Sequence, residues 1–288
     1  MTDLVQRTLR RLGERLPGRL STPGDPGYAD ATAIWAKAVG RMPRAVVHCR
    51  TAEDVALAIR AARDCDLPLS VRGGGHDWAG RALCDGIVID LSGMRSVAVG
   101  SDGAARISGG ARAADVVAVT HSLGLAAVTG SVGAVGMAGL TLGGGYGPLI
   151  GRFGLALDNL VEAEVVLADG RFVLANDADE VELLWALRGG GGNFGVVTAR
   201  TSAARAPPDI RAAPSEPTAT LLISLRSMTM PSHKARPAQS WPPPRTDRGR
   251  SQSRAARIAR ATSSEVRQWT TARGIRPTGF AQIAVASA

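Results

Sequence analysis

Short apolar runs and stretches of helical spacing alternate along the first two hundred residues. The run RAVVHC at 44–49 is β-branched and apolar, which predicts a strand. Thr51 then opens AEDVALAIRAARDCD, whose apolar positions recur every three to four residues, so a capped helix is predicted over 52–66. LPLSVR at 67–72 predicts a second strand running into three glycines, and GIVIDLSGM at 86–94 a third. Further on, AADVVAVTHSLG reads as a helix closed by Gly124, and EAEVVLADGRFVLA as a hairpin turning at Asp169 and Gly170. DEVELLWALRG predicts a helix that ends at another glycine run, and FGVVTA after it is β-rich. Residues 1–20 set Arg7, Arg10, Arg11 and Arg15 among Leu4, Leu9, Leu12 and Leu16, the pattern of a short amphipathic helix without a signal peptide's apolar centre. The fold class expected from this interleaving is α+β.

The pattern stops after Thr201. Ten of the 16 prolines lie beyond it, in runs such as APPDIRAAPSEP. Residues 202–288 hold 14 of the 34 Lys and Arg but 4 of the 25 Asp and Glu, a net of +10, so the first 201 residues carry 20 − 21 = −1. The chain's basic character therefore belongs to a tail, expected to be poorly ordered, and no nucleic-acid partner is expected for the body. With 45% apolar and 20% charged residues, that body is large enough for a real core. Cys49, Cys65 and Cys84 are odd in number and have no metal-ligand spacing, so neither disulfides nor a metal site is expected, and the compartment expected is the cytoplasm. Leu123–Ile150 carries no charge, but its nine glycines make a poor membrane helix, and no membrane partner is expected.

Three glycine clusters punctuate the body: RGGGH at 72–76, TGSVGAVGMAGLTLGGGYG at 129–147 and RGGGGNFGVV at 188–197. Glycine this dense lets main-chain N–H groups converge on an anion and lets a ring approach the backbone, as a large phosphorylated cofactor requires. Tight turns in an alanine- and glycine-rich protein are the alternative for any single cluster. Gly190, Gly192 and Gly195 match GxGxxG, but a helix precedes them and a strand follows, the reverse of the dinucleotide-binding context. GxxxxGK[ST], HExxH and GxSxG do not occur, which removes the usual nucleotide-triphosphatase and hydrolase signatures.

GDPGYADATAIW at 24–35, LPLSVRGGGHDWAG at 67–80, VIDLSGM at 88–94, TLGGGYG at 141–147 and ALRGGGGNFGVVT at 186–198 stand in one order and spacing. Together they resemble the FAD-linked oxidases of the berberine-bridge-enzyme-like family. The resemblance implies a two-subdomain PCMH-type FAD-binding module of the vanillyl-alcohol-oxidase type. On it, residues 1–21 are a helical lead-in, 22–204 the FAD-binding domain, and 205–288 the basic Pro/Arg/Ala-rich tail. It makes Arg72, Gly73, Gly74, Gly75 and His76 the pyrophosphate cradle, with His76 bonded covalently to the flavin. An imidazole nitrogen is a competent nucleophile toward the methyl group at flavin C8. Gly133, Gly136, Gly139, Gly143, Gly144 and Gly145 are implied as backbone contacts along the cofactor, Tyr146 near the ring, and Asn159 and Val197 in motifs that line it. For Tyr146, packing beside glycine is the alternative. A second, cysteinyl tether is not expected, because that position holds Val132. Trp78, Trp185 and Cys84 are assigned to packing or structural roles.

The activity implied is an oxidase: hydride passes from a small-molecule substrate, such as a sugar or aromatic alcohol, to flavin N5, and oxygen reoxidises the flavin. No catalytic base is singled out, and the oligomeric state is left open. The family's substrate domain follows GNFGVVT, whereas this chain continues ARTSAARAPPD, which suggests a truncated or out-of-frame product. A flavin-binding remnant without turnover is the second reading.

Overall fold

A computed structural model describes residues 2–36 and 40–205 and the backbone of 284–285. The expectation of a poorly ordered tail falls outside these residues. In chain order the elements are α1 Thr2–Arg15, β1 Leu20–Ser21, α2 Tyr28–Ala31, β2 Ala45–His48, α3 Ala52–Asp64, β3 Leu69–Arg72 and β4 Ile87–Asp90. There follow β5 Val97–Val99, β6 Ala104–Ser108, α4 Ala113–Ser122, β7 Ala126–Ala127, α5 Met137–Leu142 and α6 Ile150–Phe153. A 3-10 turn at Leu157–Asn159 leads to β8 Leu160–Val166, β9 Phe172–Ala175, α7 Val181–Leu187 and β10 Val196–Arg205, and β11 is Ala284–Val285.

The strands form two sheets. The first runs β1-β2-β4-β3-β11, with β2, β3 and β11 parallel to their neighbours on the β4 side and β1 antiparallel to β2. Val46, Val47, Ile87 and Ile89 are fully buried, as central parallel strands require. Thr51 caps α3 with a full capping box, its side chain accepting from the Asp54 N–H while Asp54 accepts from the Thr51 N–H. Ile59, Val55 and Ala62 of that helix pack on the sheet together with Leu12 and Leu16 at the end of the first helix.

The second sheet is antiparallel, ordered β5-β6-β10-β8-β9, with β7 also paired to β10. The strand at 196–205 is central, hydrogen-bonded along both edges. Ile107, Val116, Met137 and Leu140 form one core beneath it, and Leu160, Val165, Leu184 and Leu187 another. Val166 and Val196 join the first sheet's core, so the two sheets share packing.

The helix expected over 52–66 stops at Asp64, and Asp66 turns the chain at φ 51°. Trp78 and Trp185, assigned above to packing, are instead 72% and 55% exposed. Apolar character alone does not secure burial. Among the described residues no helix is long and apolar enough to cross a membrane.

Candidate functional site

The loop after β3 is pinned at both ends. At its start Arg72 is buried, giving Nε to Asp90 Oδ1 at 3.1 Å, Nη2 to Asp90 Oδ2 at 3.0 Å and Nη1 to the Ala33 carbonyl at 3.1 Å. Asp90 also accepts from His48 Nδ1 at 2.9 Å and from the Ser92 hydroxyl at 2.8 Å. Burial alone would push the Asp90 carboxyl up. Hydrogen bonds from His48 and Arg72, the Arg72 charge and the Ser92 hydroxyl outweigh it and hold the group well below the usual carboxylate range. At the loop's far end Asp77 accepts the Arg81 backbone N–H at 2.6 Å and pairs with Arg81 Nη2 at 2.5 Å.

Between these anchors the main-chain N–H groups are unspent. From Gly73 to Ala79 no backbone N–H donates to an acceptor among the described residues. Gly75 takes φ +67°, which turns the run back on itself. Such consecutive free donors in a turning segment form an anion-binding concavity. Gly74 lies directly against the segment that opens α5: a Cβ at 74 would stand 2.7 Å from Gly136 Cα and 3.0 Å from the Ala134 carbonyl oxygen. Two chain segments thus meet backbone to backbone, and only glycine permits it.

The resulting groove is lined from both sheets, by Val71 of the first and Leu91 beside it, and by Val197 of the second and Gly109 beside it. Its lining brings together Gly73, Gly74, Gly75, His76, Gly136, Gly139 and Val197 of the residues expected from the sequence. The Arg72 side chain is not in it, being spent on Asp90 and Ala33. Gly133, Gly143, Gly144 and Gly145 shape the turns around α5 without lining the groove. Asn159 is buried and donates from Nδ2 to the Phe153 and Leu155 carbonyls, a turn-bracing role. Tyr146 is 80% exposed, neither in the groove nor packed. The sequence reading did not single out Val71, Asp77, Leu91, Gly109 and Leu142 in the lining, whereas Val135 and Ala138 fall inside the stretch from Gly133 to Gly139 expected along the cofactor. Gly109 and Gly110 formed a fourth glycine pair that could have drawn attention to it.

These residues fit a flavin dinucleotide. A long run of free donors, a glycine-floored groove and an apolar far wall of Leu91, Val135 and Leu142 suit a phosphorylated, ring-bearing group.

Comparison with known proteins points to the same cofactor. Residues 43–176 match the FAD binding domain family. This part of the chain is similar to the FAD-binding domains of that family. (R)-6-Hydroxynicotine oxidase of Paenarthrobacter nicotinovorans is 43% identical over 185 residues, covering 64% of this chain and 40% of that protein. FAD-linked oxidoreductase hasG of Aspergillus fumigatus is 40% identical over 185 residues, covering 62% and 39%. Among solved structures, glucooligosaccharide oxidase from Acremonium strictum matches with TM-score 0.67 and 31% identity over 70% of this chain and 43% of that one. It is described with a 6-S-cysteinyl, 8α-N1-histidyl FAD. A berberine-bridge-enzyme-like protein of Physcomitrella patens matches with TM-score 0.65 and 29% identity, again over 70% of this chain and 44% of that one. The chain thus spans about two-fifths of the length of these relatives.

Proposed function

We propose that residues 22–204 hold FAD for an FAD-linked oxidase of a small-molecule substrate, and that His76 is the covalent point of attachment. The observation that carries this reading is the run of free N–H groups at Gly73–Ala79, with His76 within it and facing the groove. Bound there, FAD would supply a two-electron acceptor for a substrate C–H bond, with dioxygen as the final oxidant. The protein's own residues perform the rest. The backbone donors of Gly73, Gly74 and Gly75 neutralise the pyrophosphate, and Arg72 and Asp77 keep that cradle open by binding elsewhere. Leu91, Val135 and Leu142 exclude water from one side. Val132 stands where a second, cysteinyl tether would be, so attachment is single. A cytoplasmic setting fits three buried, unpaired cysteines.

The test is acid precipitation of the purified protein. Flavin absorbance is expected in the pellet, and His76→Ala should move it to the supernatant while binding persists. A yellow supernatant from the parent protein refutes the tether.

A second reading, a flavin-holding remnant without turnover, is favoured by one observation. Past Thr198 the central strand carries a buried arginine, Arg200, with two guanidinium nitrogens lacking a partner among the described residues. Anaerobic mixing with sugars and aromatic alcohols separates the readings: bleaching of the flavin band establishes turnover, and a stable band supports the remnant.

A further inference from the structure

Neither ring nitrogen of His76 has a hydrogen-bond partner among the described residues. A histidine that must attack one atom is ordinarily held by a bond from its second nitrogen. Here the ring meets a different restraint. The Trp35 indole stacks on it with centroids 4.9 Å apart and planes 30° from parallel. Trp35 is 61% exposed, so it is no core residue, yet its segment is held to the glycine loop and its first residue by two hydrogen bonds and passes close to Gly75. The Trp35 N–H donates to the Gly75 carbonyl at 2.8 Å, Arg72 Nη1 donates to the Ala33 carbonyl at 3.1 Å, and Ile34 Cγ2 lies 3.6 Å from where a Gly75 Cβ would stand.

We infer that Trp35 is the positioning residue for covalent flavin attachment at His76. The inference rests on the reading of His76 as the tether. The indole covers one face of the imidazole, which lines the groove, and so restricts the ring's rotation there. Attachment replaces one imidazole N–H and one C8-methyl C–H by an N–C bond. The two protons leave to solvent or ring nitrogen, the two electrons remain in the flavin, and dioxygen removes them with formation of hydrogen peroxide. Nothing in that balance needs Trp35 as a proton carrier. Its effect is on the fraction of time the ring is aimed.

An aromatic pair of this kind biases orientation by roughly threefold to tenfold. The experiment uses full-length chain from a riboflavin-starved host, mixed with FAD, with flavin retained in acid-precipitated protein followed over time. Non-covalent FAD affinity is read separately from flavin fluorescence quenching within the first seconds. Trp35→Leu should slow retention by roughly threefold to tenfold with affinity unchanged, and Trp35→Phe, which can still stack, should recover most of the parent rate. His76→Ala should retain none. Equal rates for parent and Trp35→Leu overturn the role of Trp35 while the tether stands. Slowing in both variants with matching loss of affinity also overturns it, since that marks a purely structural residue. No retention by the parent protein overturns the tether and this inference with it.

Discussion

Replacing Arg200 with methionine should make the protein more stable. Arg200 lies opposite Ile107 and Ala163 in the two flanking strands and is 2% exposed. Its Nη1 reaches the Ser202 hydroxyl, but Nε and Nη2 have no partner among the described residues. Burial alone pushes the guanidinium down to about 10. At about 1.4 kcal/mol per tenfold change in proton affinity, holding it charged costs the folded state roughly 3 kcal/mol. The variant leaves the Ser202 hydroxyl without that donor, a loss of about 1 kcal/mol. The net expectation is a gain of about 2 kcal/mol, or a rise in Tm of roughly 4–8 °C for a body of this size. Urea unfolding followed by circular dichroism at pH 7 measures it. The pH dependence supplies a second check. The unfolded chain keeps this proton to higher pH than the folded one, so the parent gains stability as pH rises through about 10. The advantage of the variant should therefore shrink above that point. A variant no more stable than the parent at pH 7, or an advantage that persists undiminished at pH 11, refutes the reasoning.

Two further substitutions probe the loop's supports. Asp90→Asn removes the charge facing buried Arg72 and should cost about 3–5 kcal/mol in urea unfolding, because an uncompensated guanidinium stays inside. The folded-state Asp90 carboxyl is held low, so its contribution is complete above about pH 4 and is lost as pH falls below it. The parent should lose stability in that acid window more steeply than the variant, and a cost under about 1 kcal/mol at pH 7 counts against the network. Gly74→Ala pushes a methyl onto Gly136 Cα, 2.7 Å away, and should both destabilise the fold and lower the flavin content of the purified protein. Gly151→Ala, with nothing within 4 Å of the added carbon, serves as its control and should do neither.

What the sequence made legible follows from how local each signal is. The capping Thr51, the β-branched runs at 45–48 and 87–90 and the turn at Asp169–Gly170 act over a few residues, and each element formed close to where its pattern stood. The glycines at 73–75 were also legible, because a cluster next to a strand is visible without its partner. The partner was not. Gly136 meets Gly74 through backbone atoms separated by about sixty positions, and no side-chain periodicity encodes such a contact. The two exposed tryptophans show the same limit from the other side. Hydrophobic character favours burial only where the fold brings up a neighbour to cover the ring, which a residue's identity does not encode, and Trp78 and Trp185 remain exposed.

The strand at 196–205 is the sharpest case. After Thr198 its residues read ARTSAAR, with no apolar alternation to announce a strand, yet it pairs through Ala203 with Ala104 and through Ser202 with Leu160. Main-chain hydrogen bonds on two sides are indifferent to side chains, so a central position can be filled by a sequence that would not choose it. The side chains then carry the misfit. Arg200 is inserted where Ile107 and Ala163 call for an apolar neighbour, and the strain shows as unpaired guanidinium nitrogens and not as a broken ladder. A composition change that begins inside a strand therefore leaves the sheet's topology intact and takes its toll in stability, which is why a single substitution at position 200 can test it.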